Sequence, residues 1–306
     1  MTTPIVDQRI RRARTDEAPI LTALQDRSSQ HWGYPKDFFD WVEGGTGIPP
    51  AYIENNQVFV LDEGDRITGF HGLTREGDDL VLDRLFVDID CIGTGRGKLL
   101  WRHAVNTARD MGETSLVIGA DPNAASFYAS MGAIWTGEKE TGNPDWVVQM
   151  FRYDIAPWII REARIDDAQT LHNLTQRSTM HWGYDPAFLD WEPDAIAVTP
   201  ELLARSTAFV LEEGASIVGY YALVRKDDGL CLDKLFVDPD WIGTGAGKRL
   251  WTHAVETARA MGDAEMQFDA DPNAAPFYRA MGAEWLHEIE TTWPGWNLQV
   301  FRYTLR

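Results

Sequence analysis

Leu85-Phe86-Val87-Asp88-Ile89-Asp90-Cys91-Ile92-Gly93-Thr94-Gly95-Arg96-Gly97-Lys98-Leu99-Leu100-Trp101 decides how this chain is read. An apolar run ends in Val-Asp, three glycines follow at alternate positions, and a helix-forming stretch opens directly after them. A strand, a glycine turn and a helix start together aim backbone N–H groups and the positive end of a helix at one point, which suits phosphate oxygens. Two well-known loops of this kind do not fit. The dinucleotide fingerprint needs a third glycine where Lys98 stands, and Lys248 in the second copy. The nucleotide P-loop needs Ser or Thr after Gly97-Lys98 and a glycine at Ile92.

The same stretch returns at Leu235 through Trp251, and other segments return at the same offset of 150. His31-Trp32-Gly33-Tyr34 becomes His181-Trp182-Gly183-Tyr184. Asp121-Pro122-Asn123-Ala124-Ala125 becomes Asp271-Pro272-Asn273-Ala274-Ala275, and Phe151-Arg152-Tyr153 becomes Phe301-Arg302-Tyr303. Roughly half of the aligned positions are identical, and one offset throughout means no net insertion, as in a duplicated domain. A unit of this length is a whole domain and not a solenoid repeat. Domains of 1–156 and 157–306 are expected. The short, fairly apolar junction Asp154-Ile155-Ala156-Pro157-Trp158 predicts halves that pack together.

The 306 residues carry 28 Lys+Arg against 47 Asp+Glu, a net charge of −19, shared almost evenly between the halves. That balance argues against nucleic-acid or anionic-membrane binding, because phosphate attraction supplies most of such affinity. It suits a cationic partner such as a protonated amine. A hydrophobic fraction of 44% is ordinary for globular chains. No signal-peptide pattern and no apolar run of membrane-spanning length is visible, and Cys91 and Cys231 are too few for a disulfide framework. The chain therefore reads as cytoplasmic. Cys91 aligns with Trp241 and Cys231 with Val81, so both read as packing residues, and no metal site is expected.

Within one unit the patterns predict a strand over 9–14 and a helix from an N-cap at Thr15 to about 28. A second short helix is expected over 35–42, and a hairpin of 57–62 and 66–75. A strand over 80–88, a long helix over 97–111, a strand over 114–120 and a helix over 123–131 follow, then strands over 133–140 and 146–153. The order β-α-α-β-β-β-α-β-α-β-β is a mixed α+β layer.

With these segments in place, the chain resembles the GNAT superfamily of acyl-CoA-dependent N-acyltransferases, in a tandem form covering nearly all of both halves. Residues 85–101 and 121–133 carry the likeness, with 235–251 and 271–283 as second copies. The resemblance implies two domains, each a mixed, mostly antiparallel central sheet flanked by helices, with acetyl-CoA as co-substrate. It assigns acetyl-CoA to Phe86, Val87, Ile92, Gly93, Thr94, Gly95, Arg96, Gly97, Lys98, Asn123 and Phe127. In the second copy it assigns Phe236, Val237, Ile242, Gly243, Thr244, Gly245, Ala246, Gly247, Lys248, Asn273 and Phe277. Ile92 and Ile242 depart from the Gln or Arg usual at the head of the loop.

The resemblance further implies direct attack by the amine on the thioester in a ternary complex. Tyr128 and Tyr278 would protonate the departing thiolate, their alternative reading being core aromatics. The backbone N–H of Val87 and Val237 would polarise the acyl carbonyl. Asp83 and Asp233 stand where family members place a catalytic Glu, and read equally as a base acting through water or as strand residues paired with basic neighbours. Asp269 is a rival base or amine anchor in the second copy alone, since Gly119 stands opposite it. His31, Trp32 and Tyr34, with His181, Trp182 and Tyr184, lie in the segment that covers the acceptor, or else only staple a turn between helices. His103 and His253 read as core or surface residues, and Asp121 and Asp271 as helix caps. The expected acceptor is a small-molecule amine. A protein amine, and a non-catalytic CoA-binding sensor or scaffold, are the alternatives, and a homodimer is left open.

Overall fold

In the computed structural model the described residues are 9–34, 47–64, 66–144, 146–191, 193–227 and 229–305. They form two compact units, Met1–Pro157 and Trp158–Arg306. The first unit runs β1 (Arg9–Arg12), α1 (Ala18–His31), α2 (Pro50–Asn55), β2 (Gln57–Asp62), β3 (Ile67–Glu76), β4 (Asp79–Val87), α3 (Arg96–Asp110), β5 (Ser115–Ala120), α4 (Ala125–Ser130), β6 (Ile134–Glu140) and β7 (Val147–Asp154). The second runs β8 (Trp158–Glu162), α5 (Ala168–Met180), α6 (Phe188–Trp191), α7 (Pro193–Ile196), α8 (Pro200–Arg205), β9 (Thr207–Glu213), β10 (Ser216–Lys226), β11 (Gly229–Val237), α9 (Ala246–Ala260), β12 (Glu265–Ala270), α10 (Ala275–Ala280), β13 (Glu284–Glu290) and β14 (Asn297–Thr304).

Each unit is one seven-stranded sheet between helices, in the order β1-β2-β3-β4-β5-β7-β6 and its second-unit equivalent. All neighbours are antiparallel except β4 with β5 and β11 with β12. This is the mixed, mostly antiparallel α+β sheet expected. Strict alternation builds it: β5 buries Leu116, Ile118 and Ala120 and turns Ser115, Val117 and Gly119 to the other face. On α3, Leu100, Trp101, Ala104, Val105 and Ala108 form a helical stripe, and Trp101, Ala104, Val105 and Ala108 share one buried cluster with Leu116 and Ile118. Removing one such buried side chain costs about 2–5 kcal/mol.

Two local features depart from expectation, and one expectation falls outside the described residues. The helix expected over 35–42 lies outside the described residues of the first unit; its second-unit counterpart region holds the single turn α6. The helix α2, opened by Pro49-Pro50, was not anticipated, because six residues are too few to show a helical period. Finally, Arg14 and not Thr15 caps the first helical turn. Glu17 reaches back to accept from the Arg14 N–H at 2.7 Å and is held there by Arg11.

Candidate active site

The parallel pairing of β4 with β5 is brief. Val81 pairs with Val117 and Leu82 with Ile118, and beyond that the strands part. At the point of parting β4 carries a bulge: Leu73 pairs with Leu82 and Gly72 with Arg84, which leaves Asp83 as the extra residue. Bulges bend a strand and re-aim its side chains. The opening is a cavity of about 1300 Å³, lined by residues 82–87 of β4, the end of β5, the glycine loop, α4 and the end of α1.

The ladder between β3 and β4 fixes what faces this cavity. Asp88 N–H donates to Thr68 O at 2.9 Å, so Phe86 and Asp88 bond to β3. In an antiparallel ladder alternate residues turn their polar groups the other way, so the Val87 N–H points to the open edge. Asp238 N–H donates to Val218 O at 2.8 Å, which orients Val237 likewise.

At the cavity floor, Gly93 and Gly95 have φ of 80° and 89°, where a side chain would be strained. Gly95 caps α3, whose first N–H groups have no helical acceptor and face the cavity beside Gly93, Gly97 and Lys98. Phe127 lies 3.6 Å from a Cβ placed on Gly97 and closes one side. Asp121 accepts from Asn123 N–H at 2.8 Å, the cap expected of it. Thr94 and Arg96 are turned elsewhere: Thr94 donates to Cys91 O, and the Arg96 guanidinium forks onto Glu63 at 3.0 and 2.9 Å. Of these two residues only the backbone is offered to a phosphate.

Asp83 is mostly buried, with 19% of its side chain exposed. Burial is the largest influence and raises its carboxyl above the ordinary aspartate range, against the pull of Arg84 and the Tyr52 hydrogen bond. Tyr52 Oη donates to Asp83 Oδ1 at 2.6 Å, and Arg84 lies 3.3 Å from Oδ2. Tyr128 lines the cavity from α4, its ring edge-on to Trp101 and Phe127. Burial raises its phenol, keeping the proton on at neutral pH.

The His31-Trp32-Gly33-Tyr34 segment is divided. Trp32 and Tyr34 line the cavity, whereas His31 is exposed outside it, stacked edge-on against Trp32. Tyr34 Oη donates to Asp121 at 3.2 Å and accepts from Asn123 at 3.0 Å and Trp146 at 3.2 Å. The segment is therefore pinned to the cap of α4, a contact that sequence patterns did not suggest. Tyr184 repeats it on Asp271, Asn273 and Trp296.

The second unit keeps the loop, with Gly243 and Gly245 at φ of 79° and 103° and Phe277 3.5 Å from a Cβ on Gly247. Around Asp233 it differs. The bulge is present, but Leu202 replaces Tyr52, and Asp233 is ion-paired with Lys234 at 3.3 Å and Lys226 at 3.7 Å. Asp269 lines a separate cavity of about 110 Å³ with Lys226, Cys231 and Gln267. Tyr278 is buried and its phenol raised, as in the first copy. Phe188, Trp191, Trp293 and Trp296 pack together at ring separations of 5.1–5.8 Å beside Tyr184. No group of three or more metal-ligating side chains occurs among the described residues. None of the described helices is long and apolar enough to cross a membrane.

Both units thus set a strand N–H at the open edge of a parting sheet above a glycine-capped helix start. The chain belongs to the acetyltransferase (GNAT) family, whose domain profile matches residues 50–150 and 195–287, and it is an acyltransferase. It is 32% identical over 137 residues to the peptidyl-lysine N-acetyltransferase YjaB of Salmonella typhimurium, covering 43% of this chain and 86% of that one. Among solved structures it is similar to the PaiA N-acetyltransferase of Thermoplasma acidophilum in complex with coenzyme A, at 17% identity. That match covers 48% of this chain and 99% of the other, with a TM-score of 0.40. The ribosomal-protein-S18-alanine N-acetyltransferase of Escherichia coli matches at 16% identity, 48% and 94% coverage, and a TM-score of 0.39.

Proposed function

We propose that this protein transfers the acetyl group of acetyl-CoA to the primary amine of a small molecule, by direct attack in a ternary complex, and that the first unit carries the reaction. One observation supports this above the rest. The glycine-capped start of α3, the Val87 N–H, Asp83 and Tyr128 all border a single cavity. Acetyl-CoA supplies the activated thioester. The N–H groups at the head of α3 hold its pyrophosphate, and the Val87 N–H polarises the acyl carbonyl. Asp83 accepts, directly or through a water, the proton lost by the attacking nitrogen. As the C–N bond forms and the C–S bond breaks, Tyr128 delivers its proton to the departing sulfur. Asp26 and Asp121, with Trp32 and Tyr34, also border this cavity, and they suit the positive charge of an amine.

A peptide lysine is the second reading, favoured by the name of the Salmonella relative. Thiol release from acetyl-CoA, followed across a panel of small primary amines and lysine peptides, decides between them. A kcat/KM at least tenfold higher for a small amine is expected, and the reverse order replaces it with the peptide reading. No release with any amine overturns both.

A further inference from the structure

Tyr52 does not border the cavity; it stands behind Asp83 and gives its hydrogen to that carboxylate at 2.6 Å. Its approach depends on a missing side chain. A Cβ on Gly72 would lie 2.2 Å from Tyr52 Oη and 3.1 Å from Cζ, so no residue but glycine leaves the hydroxyl where it is. Gly72 is also the partner of Arg84 at the bulge, and the Arg84 guanidinium carbon lies 5.6 Å from the centre of the Tyr52 ring. The second copy serves as an internal comparison. There Leu202 stands for Tyr52, Ala222 for Gly72 and Lys226 for Glu76, and the aspartate is paired with two lysines instead. Tyrosine and glycine are present together or replaced together, while the bulge and the aspartate stay.

We propose that Tyr52 is a positioning residue for the Asp83 base, that Gly72 is the notch admitting its hydroxyl, and that loss of both leaves turnover to the first unit. The proposal rests on the acetyl-transfer reading above. The fork from Tyr52 and Arg84 fixes one rotamer of Asp83 at the bulge and leaves its remaining lone pairs toward the cavity. Burial is the largest influence on the charge of Asp83, and beside it act Arg84 on its own strand, Tyr52 on α2, the backbone N–H of Asp83 itself and Glu76 on β3. Tyr52 and Arg84 favour the carboxylate and Glu76 opposes it. A hydrogen bond to the charged form lowers the proton affinity of a carboxylate, so removing the Tyr52 hydroxyl raises it.

Tyr52→Phe keeps the ring and removes that bond. The expected result is a kcat at least tenfold lower, toward the ~100-fold cost of misplacing a reacting group by about 1 Å. KM for acetyl-CoA stays within about twofold, and the acid limb of kcat/KM moves to higher pH. The Asp83 carboxyl resonance, titrated by carbon NMR, moves in the same direction and needs no acceptor. Gly72→Ala reproduces these changes by evicting the hydroxyl. The pair Tyr52→Leu with Gly72→Ala, which is the second unit's own combination, melts close to the unaltered protein yet stays slow, separating the effect from folding. Unchanged kcat and an unmoved titration in Tyr52→Phe overturn the positioning role. Full turnover in Asp83→Asn overturns Asp83 as the base, and the positioning role with it, whereas no thiol release by the unaltered protein with any amine overturns the acetyl-transfer reading beneath them.

Discussion

Burial makes Asp83 a better base and a poorer contributor to stability, and both follow from one shift. Its carboxyl binds a proton more tightly in the folded than in the unfolded state, so the folded state loses stability as pH rises through the raised value. The penalty is complete above that value and absent below the ordinary aspartate range. Asp83→Asn should therefore melt no lower than the unaltered protein at neutral pH, while kcat falls by about 100-fold or more. Calorimetric melting beside thiol release checks both. In the unaltered protein kcat/KM should fall as pH is lowered through the Asp83 titration, because only the carboxylate accepts the amine proton. Tyr128 has the opposite duty, since burial keeps its proton available at neutral pH. Tyr128→Phe should lower kcat by about 100-fold with KM for acetyl-CoA little changed, measured by the same release assay.

At the scale of elements, the glycine loop and α3 act as one piece. The turn was legible in the sequence because positive φ is a property of single residues, and Gly93 and Gly95 adopt it as their spacing requires. Nothing lies within 4 Å of a Cβ on Gly95, so a substitution there meets only backbone strain. Gly95→Ala should cost on the order of 1–2 kcal/mol locally and weaken acetyl-CoA binding by roughly tenfold, as read by calorimetric titration. The bulge on β4 was not legible. Leu-Val-Leu-Asp-Arg-Leu reads as an uninterrupted strand, and the extra residue appears only when β3 sets the register on its other side. Likewise α2 announces itself by two prolines and no period, and it is α2 that carries Tyr52.

At the scale of the whole molecule, duplication lets each unit serve as a control for the other. The loops agree, while the surroundings of the aspartates do not. A second divergence lies deeper in the core. His71 Nε2 meets His103 Nδ1 at 2.8 Å, and His71 Nδ1 is buried with no hydrogen-bond partner among the described residues. Burial depresses both imidazoles, His71 well below its ordinary range and His103 to about 4. Groups whose proton affinity is depressed by folding stabilise the folded state above their ordinary value, and that stability is lost as pH falls. The window here runs from 6.5 down to about 4. In the second unit Tyr221 replaces His71 and bonds to His253 and Thr257, each at 2.8 Å. Hydrogen exchange across this window should show the first unit opening before the second. His71→Tyr, copying the second unit, should flatten that loss; a first unit that stays protected to pH 4 without it would exclude the histidine pair as the cause.

The sequence by itself determined the duplication, the glycine turn, the Asp-Pro-Asn caps and, through them, the family. Each of these is encoded by backbone preferences within a few consecutive residues. Tertiary structure alone decided which side chains work together. Tyr52 meets Asp83 across 31 residues, Tyr34 meets Asp121 across 87, and Trp146 meets Tyr34 across 112. No local pattern records such meetings, because they depend on how strands and helices distant in the chain are brought together, as in the register of β3 on β4 and the short pairing of β4 with β5.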